Sequence, residues 1–255
     1  MSQFTYSVIV AEDEELLLTN LVQKIQNTQL GFEVLGTAQT GKKALELVKM
    51  HSPDLVITDI KMPIMDGIEL LDAIHLTFPT IRFIIISGFS DFDYAKQAIR
   101  LKVNDYLLKP IDSEELYTSL LKIKTDLDLE RSSYETFFSL SSLNTSKEHI
   151  AEMLKEYIVH HYTSEINLNL IASSMNYSSS YLTKLFVQHY NCTPSKYIIT
   201  LRLQKARHLL LHHPELSIRQ IGELVGYQDQ GYFSRIFKKQ QGVSPFDYRE
   251  QSVNA

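Results

Sequence analysis

At 255 residues, 44% hydrophobic and 22% charged, the chain can bury one large core or two modest ones and has the balance of a soluble globular protein. No apolar run approaches the roughly 20 residues of a membrane span, the start MSQFTYSVIVAEDEE lacks the basic region of a signal peptide, and the lone Cys192 excludes an intramolecular disulfide and fits a reducing cytoplasm. The net charge of −5 divides unevenly: residues 1–127 hold 12 Lys/Arg against 18 Asp/Glu, whereas residues 168–241 hold 9 against 3, so an acidic front precedes a basic back suited to polyanions.

Tyr6–Ala11 (YSVIVA) reads as a buried strand, with Glu12-Asp13-Glu14-Glu15 at its carboxyl end. Leu16, Leu17, Asn20, Leu21, Lys24 and Ile25 then recur at helical spacing. Phe32–Thr37 is a second strand and Gly41–Met50 a helix. Leu55–Asp59 is a third strand, β-branched and aliphatic as expected of one buried on both faces. It ends on a single acid and breaks into a Pro/Met/Gly loop before a helix over Ile68–Leu76. Arg82–Ser87 (RFIIIS) is a fourth strand, with a helix over Phe92–Arg100 behind it. Tyr106–Leu108 is a fifth, ending at Lys109-Pro110, and a helix over Ser113–Lys124, capped by Asp112 and Ser113, closes the half. Strict β/α alternation means a parallel sheet with helices on both faces.

In such a sheet, ligands and chemistry sit outside the carboxyl ends of the strands. Glu12 and Asp13 end the first strand, Asp59 the third, Ser87 the fourth and Lys109 the fifth. Singly these are bland: a helix-start acid pair, a turn acid, a loop hydroxyl, a solvated lysine. Together on one edge, the three carboxylates would repel one another without a divalent cation among them. An all-oxygen site that keeps waters and accepts a phosphate suits Mg²⁺. A hydroxyl and an ammonium can hold the remaining oxygens of a transferring phosphoryl group.

This constellation resembles the receiver domain of bacterial two-component response regulators over roughly residues 5–126. The resemblance implies a flavodoxin-like, five-stranded parallel α/β fold. It implies Asp59 as the residue phosphorylated by a sensor histidine kinase, and Mg²⁺ held by Glu12, Asp13 and Asp59 with the backbone oxygen of Lys61. Ser87 takes the family's switch-hydroxyl position, Lys109 its phosphate-pairing lysine and Tyr106 its switch aromatic, with a cis peptide before Pro110. Glu12 stands where Asp is frequent in the family, and either carboxylate can serve.

Beyond Asp126 the pattern loosens, and residues 127–147, rich in serine, read as linker or a ragged helical extension. The rest is helical and duplicated. Leu182, Phe186, Pro194 and Tyr197 recur as Phe233, Phe237, Pro245 and Tyr248, each shifted by 51. A short apolar helix and tight turn precede each copy, LNLIASSMNYS and IRQIGELVGYQ, with small Ala172 and Gly222 at equivalent close approaches and Gly226 suited to positive φ. Helix, turn, helix, twice, in the basic half, points to two helix-turn-helix units. Gly231, Ser234, Arg235 and Lys238 lie opposite Phe233, Ile236 and Phe237; in the first copy Ser180, Thr183 and Lys184 lie opposite Leu182, Leu185 and Phe186. Any surface helix has such a face, but two of them in a positive region suit double-stranded DNA. Gln230 and Lys239 complete the candidate DNA contacts.

This half, about residues 148–250, resembles the AraC-type DNA-binding domain, with IGELVGYQDQGYFSRIFKKQQGVSPFDYR fitting the family signature nearly throughout. Tyr197–Leu211 matches that family's connecting helix. Asn191 replaces a usual glycine, and asparagine tolerates the left-handed geometry needed there. The expected layout is a receiver over 1–126, a linker over 127–147 and an all-α DNA-binding domain over 148–255. The expected function is a cytoplasmic, non-enzymatic response regulator that controls transcription, with a histidine kinase and promoter DNA as partners, no membrane, and a homodimer on activation. The alternative is a Mg²⁺-dependent phosphohydrolase using Asp59 with a helical interaction domain; it needs an acid/base group near Asp59, and neither Ile60 nor Lys61 is a carboxylate.

Overall fold

The computed structural model describes residues 4–75, 77–88, 94, 98, 101, 103–139 and 146–253, the last three by backbone alone. It divides into two compact units, residues 1–133 and 134–255.

In the first unit, β1 (Tyr6–Ala11), β2 (Phe32–Ala38), β3 (Leu55–Asp59), β4 (Arg82–Ser87) and β5 (Asp105–Leu108) form one sheet in the order β2-β1-β3-β4-β5. All pairings are parallel, with Val10 opposite Ile57, Ile57 opposite Ile84 and Ile85 opposite Tyr106. Every residue of β3 is buried, as its unbroken apolar run requires. Alternation along the strands sends Ile9, Val56, Phe83 and Ile85 to one face, where they meet Ala44 and Val48 of α2 (Gly41–His51) and Leu70, Leu71 and Ile74 of α3 (Gly67–His75). Val8, Val10, Ile57, Ile84 and Ile86, on the other face, are equally buried. On α1 (Glu15–Asn27) the inward stripe is Leu18, Leu21 and Ile25, whereas Leu16 is 82% exposed and Leu17 36%. The expected helix over Phe92–Arg100 lies outside the continuously described residues.

The loop after β3 is clamped by its sequence. Asp66 and Glu69 form a reciprocal capping box at the start of α3, with Glu69 N donating to Asp66 Oδ1 at 2.7 Å and Asp66 N to Glu69 Oε2 at 3.1 Å. Gly67 N donates to Ile60 O at 2.8 Å. A Cβ on Gly67 would stand 2.2 Å from the carbonyl oxygen of Asp59, so only glycine lets α3 begin this close to the end of β3.

Helix α4 runs from Ser113 to Ser139, capped by Asp112, whose Oδ1 accepts from Glu114 N and Glu115 N at 2.8 and 3.0 Å. Its buried stripe in the first unit is Leu116, Leu120, Ile123 and Leu127. Residues past the expected end at Lys124 also belong to this unit. Tyr6 donates to Asp128 Oδ1, Lys124 pairs with Asp128, Arg82 with Glu130, and the Arg131 guanidinium lies 4.0 Å from the Phe4 ring. Tyr134, Phe137 and Phe138 of the same helix belong to the second unit, packed around Tyr157 at ring separations of 5.6, 4.8 and 5.4 Å. Tyr134 Oη also accepts from Asn167 N at 3.1 Å. The segment 127–147 is thus helical through Ser139; with neither glycine nor proline between Pro110 and Ser146, no such breaker stops the helix. Residues 140–145 lie outside the description, and Ser146 caps the next helix.

The second unit contains α5 (Lys147–His161), α6 (Leu168–Ser174), α7 (Ser179–Tyr190), α8 (Pro194–His212), α9 (Ile218–Leu224), α10 (Gln230–Gln241) and α11 (Pro245–Val253). Thr193-Pro194 and Ser244-Pro245 open equivalent helices with a hydroxyl cap and proline in the first turn. Asn191 (φ 54°) and Gly242 (φ 83°) close equivalent helices in the left-handed region. The repeat shifts by 51 in its second half but by 50 in its first: Tyr177 N bonds Ala172 O, and Tyr227 N bonds Gly222 O, both at 2.8 Å. The second turn therefore holds one extra residue.

Replacing Gly67 by alanine forces apart α3 and the end of β3. We expect a loss of about 1–3 kcal/mol, read as a lower urea midpoint with an unchanged slope.

Candidate functional site

The carboxyl edge of the sheet gathers the acids. Glu12 follows β1 directly, and its backbone N–H bonds Ala38 O of β2 at 3.0 Å, which fixes where the side chain starts. Its carboxylate is 1% exposed; Asp59, at the end of β3, is 7% exposed, and Asp13 is exposed. Carboxylate oxygens of all three lie within 4.8 Å of one another, the only such group of three or more His, Cys, Asp or Glu among the described residues.

Lys109 answers that charge. It follows β5, where its backbone N–H bonds Ser87 O at 2.8 Å, and the Lys109–Pro110 peptide is cis. Its ammonium donates to Asp59 Oδ2 at 2.6 Å and lies 2.7 Å from Glu12 Oε2. The other oxygen of Asp59, Oδ1, accepts from Ile60 N at 2.6 Å. Burial pushes the Glu12 carboxyl up, the charge of Asp59 adds to this, and Lys109 opposes it. Burial alone would lower the Lys109 ammonium, but the bonds to Asp59 and Glu12 outweigh it and raise the net value. An all-oxygen set of this kind, two members buried and one facing solvent, fits a hard divalent cation such as Mg²⁺.

The remaining expected residues lie on β4, on β5 and in the loop after β3. Ser87 is buried at the end of β4, one position past Ile86, the partner of Asp59 across the sheet. Tyr106 is half-buried in β5 and packs against the core on the face of α2 and α3. Lys61 is two residues past Asp59 with its side chain exposed. Sequence reasoning overlooked Gly67, which lets α3 start against the Asp59 carbonyl. The signal was the Met-Asp-Gly run opening that helix.

In the second unit, α7 and α10 each bury one side and expose the other. Leu182, Leu185 and Phe186 are buried on α7, with Ser180 and Lys184 exposed and Thr183 half-buried. Phe233, Ile236 and Phe237 are buried on α10, with Gln230, Arg235, Lys238 and Lys239 exposed and Ser234 half-buried. Gly222 explains how α9 approaches α10, because a Cβ there would meet the Phe233 ring at 3.2 Å. No described helix is long and apolar enough to cross a membrane.

Comparison with known proteins agrees with both halves. The family described as response regulator receiver domain matches residues 8–121, and that described as helix-turn-helix domain matches residues 171–251. An uncharacterized response regulatory protein of Staphylococcus epidermidis is 33% identical over 97% of this chain and 99% of its own. The transcriptional regulatory protein HptR of Staphylococcus aureus is 30% identical, again over 97% of this chain and 99% of its own. Among solved structures, the REC domain of AraT, a response regulator from Geobacillus stearothermophilus, is 37% identical over 50% of this chain and 99% of that one, with a TM-score of 0.48. The two family matches and the likeness to HptR do not favour a phosphohydrolase, and they point to a transcriptional regulator rather than a catalyst. The chain belongs to the DNA-binding response regulators, with a receiver domain followed by an AraC-type helix-turn-helix domain.

Proposed function

We propose that Asp59 accepts a phosphoryl group from a sensor histidine kinase, and that the modified receiver promotes binding of the helical half to promoter DNA. The observation that carries this reading is the Lys109 ammonium bridging Glu12 and Asp59 at the carboxyl edge of a parallel sheet. Asp59 supplies the attacking carboxylate oxygen; as its bond to phosphorus forms, the phosphorus–nitrogen bond of the donor histidine breaks and the imidazole keeps the electron pair. Glu12, Asp13 and Asp59, with the backbone oxygen of Lys61, would hold Mg²⁺. When bound, that ion supplies neutralising charge for the phosphoryl oxygens.

Lys109 then has a choice of anions. Its ammonium is shared between two carboxylates before transfer and can pair with phosphoryl oxygens after it, while the Ser87 hydroxyl donates to another. Tyr106, two residues before Leu108 on the same strand, would follow that movement inward. The receiver resemblance adds a homodimer on activation, which would present four helix-turn-helix units and make the second binding event effectively intramolecular. A DNA target puts the site of action in the bacterial cytoplasm. Ser180, Thr183 and Lys184 on α7, and Gln230, Ser234, Arg235, Lys238 and Lys239 on α10, would face the DNA. The support is their place opposite the buried stripes of two duplicated helices in the basic half.

Asp59→Ala is expected to abolish Mg²⁺-dependent labelling by a small phosphodonor; label persisting on another residue, mapped by mass spectrometry, would remove Asp59 from the centre of the reading. For DNA, Lys238→Ala should weaken binding to all sequences alike and lower the slope of log affinity against log salt by about one. Arg235 should read a base, since its fork can engage guanine O6 and N7 together, worth about 1–3 kcal/mol of discrimination. Arg235→Lys keeps the charge without the fork, so site selection from random DNA should show relaxed preference at one base pair. Unchanged preferences would make Arg235 a phosphate contact.

A further inference from the structure

The turn before the first helix-turn-helix copy and the turn inside the second meet around one buried side chain. Arg202 lies in the middle of α8, the helix joining them, and is 8% exposed. A guanidinium is kept in such a place only when its donors are matched. Its Nε donates to Tyr162 O at 2.6 Å and an Nη2 to Ser164 O at 2.7 Å. Both carbonyls belong to the turn that leaves α5 and leads into α6, the first helix of the first helix-turn-helix copy. The guanidinium carbon lies over the Tyr227 ring, 5.0 Å from its centroid, in the turn of the second helix-turn-helix copy.

Tyr227 carries the contact onward. It is 4% exposed, and its ring lies 5.6 Å from those of both Tyr232 and Phe233 in the first turn of α10. Its neighbour Gly226 meets the turn between α5 and α6 directly: at φ 94° a Cβ would stand 2.6 Å from Thr163 O. The turn before the first helix-turn-helix copy and the turn inside the second therefore press together across the middle of α8. A covalent helix alone leaves bending and twisting free at its ends; a buried guanidinium bonded to one turn and set over a ring of the other removes that freedom.

We propose that Arg202 is the positioning residue that sets the distance and angle between the two DNA-reading helices, and hence the spacing of half-sites the protein accepts. The proposal rests on the reading of α7 and α10 as DNA-binding helices. Each inserted base pair moves the second half-site by about 3.4 Å and turns it by about 35°. A rigid joint must reject that displacement, whereas a loosened one can follow it.

The test uses the full chain. Preferred sites are first selected from random duplexes with the wild type, then one to three base pairs are inserted or removed between the two protected halves. Wild type is expected to lose about tenfold or more in affinity per base pair of misfit. Arg202→Met, which keeps the length but leaves both carbonyls without their donor, should bind the best site more weakly and lose less than about threefold per base pair. Arg202→Lys, a charge without a fork, should fall between. Binding with the wild-type spacing profile would overturn the proposal and leave Arg202 as packing only. Should Arg202→Met fail to fold, Tyr227→Leu, which keeps the carbonyl bonds but removes the ring, decides by the same profile. Wild type that binds no duplex would instead sink the DNA-binding assignment of α7 and α10, and wild type indifferent to spacing would sink the joint alone.

Discussion

Lys109 between Glu12 and Asp59 is the interaction on which the receiver half depends. Three carboxylates at one sheet edge are mutually repulsive, and two of them are shielded from water, where charge is most costly. One ammonium neutralises part of that charge at 2.6 and 2.7 Å, and it arrives from a strand two places away across the sheet. The order β2-β1-β3-β4-β5 makes this possible, because β3 sits centrally and its neighbours' ends converge on it. A group that shifts the partner of Lys109 thereby acts on the end of β5 itself. Gly67 serves the same edge from below, since any larger residue would push α3 off the Asp59 carbonyl.

The duplicated half solves a recurring problem with different residues. Each helix-turn-helix unit is preceded by a turn whose carbonyls need donors. Arg202 on α8 supplies them to Tyr162 and Ser164 before the first unit, and Arg249 on α11 supplies one to Leu216 before the second, at 2.8 Å. Both arginines sit on the helix that follows the second helix of a helix-turn-helix copy, yet they occupy non-equivalent places in the repeat. Function in the two copies was matched by reach rather than by register.

From sequence, residues 127–147 stayed open between linker and a ragged helical extension for a physical reason. Serine-rich stretches bias toward flexibility in isolation, but Tyr134 and Phe138 keep the spacing of a buried stripe and find partners in Tyr157 and Asn167. Aromatic burial and a backbone hydrogen bond outweigh weak local helix propensity. Helix ends set by caps, such as Asp112 and Ser146, were readable or local; a helix end set by tertiary packing was not.

Sequence by itself determined the parallel α/β half, the acids and lysine at its strand ends, and the two duplicated helix-turn-helix units with their inner stripes. Period-2 and period-3.6 apolar patterns, turn residues and a repeat are local quantities, and they survive folding unchanged. Only the tertiary structure decided which leucines of α1 face inward, that α4 continues to Ser139, and that Arg202 meets Tyr227. Each of these depends on a partner distant in the chain. Leu16 and Leu17 are as apolar as Leu18, and an arginine amid a helix reads as solvated until two carbonyls and an aromatic ring enclose it.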